Sequence, residues 1–280
     1  MADFMNEFSG AITADHVICT AGLFVLAGWL LNTSLGRSAL DDSVPRRNNM
    51  PFYLPFIVLL AWIAGVPTAI LARIVLVADL PGWQSAFLDN LILCICSLAA
   101  IAVIVLLARS SFARRLEGFG LNVKTIAKDF FVAVLNLLSV WPLVMLMVLA
   151  TLVFGKLVYG SDFQLQRHQE LEMITAYSQP VVRVLIVVTA VLVVPVFEEM
   201  LFRGLFQTML RSFLQRPWPS ILISSALFAM IHADVSHWPA LLVLAICMGY
   251  AYEKSGSLFR PIFIHSLFNA VSIITAIYFQ

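Results

Sequence analysis

The chain alternates between long apolar runs and short polar connections. Apolar segments extend over about 17–32, 52–72, 86–108, 130–155, 181–200, 219–236, 239–252 and 261–279. A helix crossing a bilayer needs roughly 20 predominantly apolar residues, and most of these runs approach that length. The pattern predicts an all-α fold, a polytopic membrane helix bundle of about eight transmembrane helices enclosing a polar intramembrane cavity. The seventh run is short enough to sit tilted, re-entrant or buried among its neighbours. Two connections are long: a basic stretch at 109–128, and SDFQLQRHQELEMITAYSQP at 161–180, which predicts a short amphipathic surface helix. The chain carries no internal repeat, so a transporter built from repeated halves has no support in the pattern.

Composition strengthens the membrane reading. The sequence is 61% hydrophobic and 12% charged, with mean hydropathy +0.94, which a soluble domain does not reach. A net charge of +1 argues against nucleic acid as a partner. Cys19, Cys94, Cys96 and Cys247 all fall inside apolar runs and read as small buried hydrophobes, not as a zinc ribbon or disulfide framework. The opening MADFMNEFSG lacks the basic region of a secretory signal, so the first run is expected to be retained as a span, and neither end carries a lipidation motif.

Lysine and arginine set the expected orientation, because short cytoplasmic loops collect them. Arg37, Arg46, Arg47, Arg109, Arg114, Arg115, Lys124, Lys128, Arg203, Arg211, Arg216, Lys254 and Arg260 share one side, thirteen of the seventeen basic residues. Arg73, Lys156, Arg167 and Arg183 take the other. The chain is therefore expected to be an integral, multi-pass membrane protein with both termini extracytoplasmic and basic loops drawn to anionic lipid.

A charged side chain at the centre of a membrane helix costs at least about 2.5–3.5 kcal/mol on insertion scales, so such residues call for a compensating role. They gather in the last hundred residues. The fifth run reads VLVVPVFEEMLFRGLF, with Glu198, Glu199 and Arg203 beyond a long apolar stretch. Glu199 and Arg203 lie about 40° apart around a helix and are expected to pair, whereas Glu198 lies about 140° from Arg203 and is expected to be left for chemistry. The sixth run contributes LFAMIHAD, with Phe228 and His232 on one face, and the eighth IHSLFNA, with His265 and Asn269 on one face. Together these groups suffice for hydrolysis without a covalent nucleophile. Glu198 and His232 would polarise a water, and His265 with Asn269 would donate to the tetrahedral oxyanion.

EEMLFR, FAMIH and HSLFN, in that order on successive apolar helices, resemble the motifs of the CPBP family of intramembrane peptidases, which includes CAAX prenyl protease type 2 and the bacterial Abi proteins. The resemblance covers about residues 180–280, a catalytic core preceded by transmembrane helices at 1–179 of unassigned role. It implies an all-helical core, a cavity opening to the cytosolic side and cleavage of a peptide bond in a membrane-bound protein or peptide. It assigns Glu198, His232, His265 and Asn269 as catalytic, with Glu199, Arg203 and Phe228 in support.

Each residue also has a plainer reading. The glutamates could sit at a water interface, and Asn269 could be interhelical glue. His16, His168 and His237 are expected to face solvent, and Arg73 to snorkel at a helix end. No cofactor is expected. The alternative is a divalent metal such as zinc on Glu198, His232 and His265. Two other function classes remain beside the peptidase: an ion- or proton-coupled transporter, and a catalytically silent scaffold or immunity protein. The crowding of ionisable groups into the last four runs favours one local site over a pathway.

Overall fold

A computed structural model describes residues 14–77, 80–165 and 169–278. Helices run at Ala14–Asn32 (α1), Leu54–Leu76 (α2), Gly82–Ser111 (α3), Arg115–Phe119 (α4), Ile126–Tyr159 (α5), Gln169–Ala176 (α6), Pro180–Leu214 (α7), Pro217–Met230 (α8), Trp238–Ser255 (α9) and Phe259–Tyr278 (α10). Each of the eight apolar runs becomes a helix, and the segment at 161–180 yields the short helix α6. Helices α2, α3 and α7, together with Val123–Tyr159 and Val235–Ser255, are long and apolar enough to cross a membrane, while α1, α8 and α10 supply shorter apolar stretches. The short member is therefore the sixth run, not the seventh. Helix α8 stops after 14 residues at Met230, and the chain turns before α9 begins.

Proline starts several of these helices. Pro180, Pro217 and Pro239 stand in first turns, where the missing N–H belongs to the unsatisfied end of the helix in any case. Helix α5 packs against α1, α9 and α10, and α7 against α3, α8, α9 and α10. The resulting core is apolar and rich in phenylalanine, with Phe119, Phe197, Phe202, Phe206 and Phe228 all fully buried. Isoleucine, valine and leucine cover the outside, as a lipid-facing surface requires.

The basic connections meet at one end of the bundle. Arg46 donates to the Tyr252 carbonyl at 2.8 Å and, with Arg211, flanks Glu253. Lys254 reaches Asp42 at 2.6 Å and holds that carboxyl below its ordinary range. Arg260 pairs with Asp129 at 2.6 Å. Gly120, at φ +106°, lets its carbonyl accept from the Leu258 N–H at 2.9 Å, and a Cβ there would stand 2.8 Å from that nitrogen. These pairings qualify the expected basic surface: Arg46 and Arg211 are locked in a salt-bridge cluster instead of facing lipid. At the other end, Ile174 of α6 packs on Val182, Ile186 and Ile273. There Arg73, expected to snorkel, instead pairs with Asp89 across α2 and α3.

Candidate active site

Helix α7 is not a uniform α-helix. Its hydrogen bonds widen into the π register at Thr189–Val193 and again at Met200–Gln207, leaving one α-helical turn and a half, Val194–Glu199, between them. Such bulges are rare and concentrate at functional sites. The first has a cause in the sequence. Val194 N–H bonds to the Thr189 carbonyl five residues back, so the next donor in that register is residue 195, acting on Ala190. That residue is Pro195 and has no N–H. Asn269 of α10 supplies the donor instead, its Nδ2 lying 2.8 Å from the Ala190 oxygen. In the second bulge the Phe202 carbonyl accepts from Ser224 Oγ at 2.8 Å and the Arg203 carbonyl from Thr208 Oγ1 at 3.3 Å.

The turn between the bulges carries the glutamates. Glu199 and Arg203 are fully buried and pair as their spacing predicts, Nη1 to Oε1 at 2.8 Å. Arg203 also donates to the Ala245 carbonyl at 3.2 Å and lies 4.7 Å above the Phe228 ring. Its burial explains why counting it among the loop cations was mistaken: the helix runs eleven residues past it to Leu214. A buried pair is tolerated where both partners keep further bonds, and Glu199 Oε1 has a second donor in His265 Nδ1 at 2.9 Å.

Glu198 faces the cavity and is 7% exposed. Its neighbour across the cavity is His265, whose Nε2 lies 3.7 Å from Glu198 Oε2. One imidazole therefore sits between the two carboxylates, hydrogen-bonded to Glu199 and beyond direct hydrogen-bond distance from Glu198.

His232 does not extend the sixth helix. It lies in the turn just after Met230, and its Nδ1 folds back to the Phe228 carbonyl at 2.8 Å. A carbonyl only accepts, so Nδ1 carries a proton. The four-residue spacing thus acts through a backbone carbonyl at a helix end. The Trp238 indole N–H donates to the His232 carbonyl at 2.9 Å and fixes the turn. Phe228 organises the group: its ring lies 4.9 Å from that of His232 and 5.7 Å from that of His265.

Glu198, His232, His265 and Asn269 line one cavity of 140 Å³. Leu241, Leu244, Phe268 and Ile273 give it apolar walls, and Asn90, Thr189 and Ser272 add polar atoms that sequence reasoning passed over. Asn90 stands in the third apolar run and was the one amide there that could have drawn notice. Its presence means that the wall crosses the boundary drawn at 179/180. His237, expected in solvent, instead meets Asp234 at 3.1 Å with its side chain 16% exposed; His16 lies in an exposed position, and His168 lies outside the described residues. Among the described residues no three of His, Cys, Asp and Glu are grouped to hold a metal ion.

The depth of the site follows from how α7 and α9 run. Arg203 bonds to Ala245, Gln207 to Gly249 and Arg211 to Glu253, a constant offset along parallel helices. Extending it places Glu198 level with Ala240, about 3 Å from the start of α9 and roughly 22 Å from its basic end. From there the cavity continues past Ala190, Asn269 and Ser272, away from the basic loops.

Residues 180–271 match a family model described as type II CAAX prenyl endopeptidase Rce1-like. No curated protein and no solved structure matches the chain.

Proposed function

From the match of residues 180–271 to the Rce1-like model of type II CAAX prenyl endopeptidases, we propose that the chain hydrolyses a peptide bond in a membrane-anchored protein or peptide, using Glu198 and His232 to activate water. The observation that carries this reading is the convergence of Glu198, His232 and His265, from two helices and the turn that follows a third, on one cavity.

Each group has a role that fits its surroundings. Glu198 and His232 Nε2, in the neutral tautomer protonated on Nδ1, accept hydrogen bonds from a water, and Glu198 takes its proton as the oxygen attacks the scissile carbonyl carbon. His265, held by Glu199 through Nδ1, turns Nε2 towards the reacting centre and stabilises the oxyanion when that nitrogen carries a proton. The carbon–nitrogen bond then breaks, with the proton held by Glu198 passing to the leaving amine. Asn269 spends one amide hydrogen on Ala190 and has a second to offer the oxyanion. Glu199, Arg203 and Phe228 act as positioning residues, since their contacts fix the imidazoles. The apolar walls suit a substrate residue with an apolar side chain next to the cleaved bond.

The test is cleavage of a membrane-tethered peptide library by the purified protein in nanodiscs, with and without chelator. Cleavage that survives chelation supports the reading. Cleavage abolished by chelator and restored by zinc moves the mechanism to a metal, and cleavage that persists in both Glu198→Ala and His232→Ala overturns the site.

A further inference from the structure

The catalytic groups occupy one end of the cavity, and the other end carries polar side chains that the proposed reaction leaves unused. Thr189 stands nine residues before Glu198 on α7, about 13 Å along the helix. It lines the cavity, is 2% exposed, and its hydroxyl has no hydrogen-bond partner among the described residues. A helical threonine readily returns its hydroxyl to a carbonyl one turn back. Thr20, Thr68, Thr151 and Thr275 do so, each to the residue four before it. Thr189 departs from that habit at the first residue of the π bulge. Asn90 of α3, the helix packed against this bulge, lines the same cavity at 5% exposure. Its Nδ2 reaches the Met173 sulfur at 3.8 Å, a weak acceptor, and its Oδ1 accepts no bond among the described residues. Ser272 nearby already donates to the Phe268 carbonyl.

Burying a hydroxyl and a carboxamide with bonds unmade is unfavourable, so the pair calls for a ligand that supplies them. Resting on the peptidase reading, we infer that Thr189 and Asn90 form a second subsite, which holds the backbone of the substrate about four residues from the cleaved bond. The separation from Glu198 is the span of about four residues of an extended chain. One residue of such a chain presents its N–H and its C=O on the same side. Asn90 Oδ1 accepts from that N–H, and the Thr189 hydroxyl donates to that C=O. Both protein groups are uncharged, so the ligand they match is a neutral peptide group. A backbone contact is blind to side-chain identity. The subsite therefore selects for an extended chain of sufficient length, while the apolar walls next to Glu198 select for the residue at the cleaved bond.

The test compares, in nanodiscs, the natural chain with Thr189→Val, which keeps the shape of the side chain and removes its hydroxyl. The substrates are the peptide cleaved best from the tethered library and its truncations from either end. By kcat/KM, the natural chain should prefer the full peptide over a truncation that stops short of the subsite. Thr189→Val should shrink that preference by about 3–10-fold, the worth of one hydrogen bond. Its unfolding midpoint should be unchanged or higher, because an unmatched hydroxyl is gone. An ester replacing the amide at the held residue removes the N–H, and should cost the natural chain a similar factor and Asn90→Leu much less. An unchanged length preference in Thr189→Val overturns the inference. So does a lower midpoint with equal losses for both lengths, the mark of a hydroxyl that serves the fold through a bridging water. If the natural chain cleaves no peptide, the peptidase reading falls, and protection against unfolding by the long library peptides decides the subsite. Stronger protection of the natural chain than of Thr189→Val keeps it, and equal protection removes it.

Discussion

Replacing Asn269 by leucine keeps the branched outline of the side chain and removes its carboxamide, leaving the Ala190 carbonyl facing α10 without the bond it has at 2.8 Å. A buried acceptor left unmatched costs about 1–3 kcal/mol. Polar contacts between membrane helices measure lower, about 0.6 kcal/mol on average and about 1.7 at most, so the expected loss is about 1–2 kcal/mol. The same loss should shrink when residue 195 can donate for itself. Pro195→Ala restores an N–H in the register that Val194 already uses towards Thr189, and the Asn269→Leu change in that background should cost about 1 kcal/mol less. Reversible unfolding in mixed detergent micelles, read by tryptophan fluorescence, gives the four free energies of the cycle. Additive effects of the two substitutions would refute the claim that the asparagine exists to serve a carbonyl orphaned by the proline.

Arg203→Met strands Glu199 in the core and should destabilise the fold by about 3–5 kcal/mol in the same assay, with Arg203→Met/Glu199→Gln recovering much of it because the stranded charge is gone; equal losses would contradict that account. Gly204→Ala drives a methyl to within 2.2 Å of the Phe119 ring, which should cost about 1–3 kcal/mol and be relieved by Phe119→Leu, a double-mutant comparison that checks the contact directly. Arg46→Ala removes the ring contact at 3.5 Å on Tyr252 and one of two cations beside Glu253; limited proteolysis should then open the 37–50 connection while Asn48→Ala, which leaves Glu253 paired, has a smaller effect.

The helices were legible because a bilayer demands runs of a fixed length, and that demand is written in composition. The Glu199–Arg203 pair was legible because four residues make about one helical turn. What escaped depended on departures from that regular turn. The π register around Pro195 shifts every residue after it, so Asn269 could be seen as polar but not as the partner of one backbone carbonyl. His232 carried a helical spacing to Phe228 yet stands past the helix end, because the same spacing serves a side chain that caps its own helix. Arg203 was grouped with loop cations on its charge alone, although α7 carries on past it to Leu214. The bond between His265 and Glu199 joins residues on different helices, which no spacing within one run encodes.

The central claim is that Glu198 activates the attacking water. It is tested most directly by measuring kcat and KM for a tethered peptide with Glu198→Gln, a change that preserves shape, beside an unfolding measurement on the same sample. Loss of general-base catalysis predicts kcat lower by about 10²–10⁴-fold, with KM and unfolding midpoint close to those of the natural chain. A kcat within a few-fold of the natural chain, in a protein equally well folded, would contradict it.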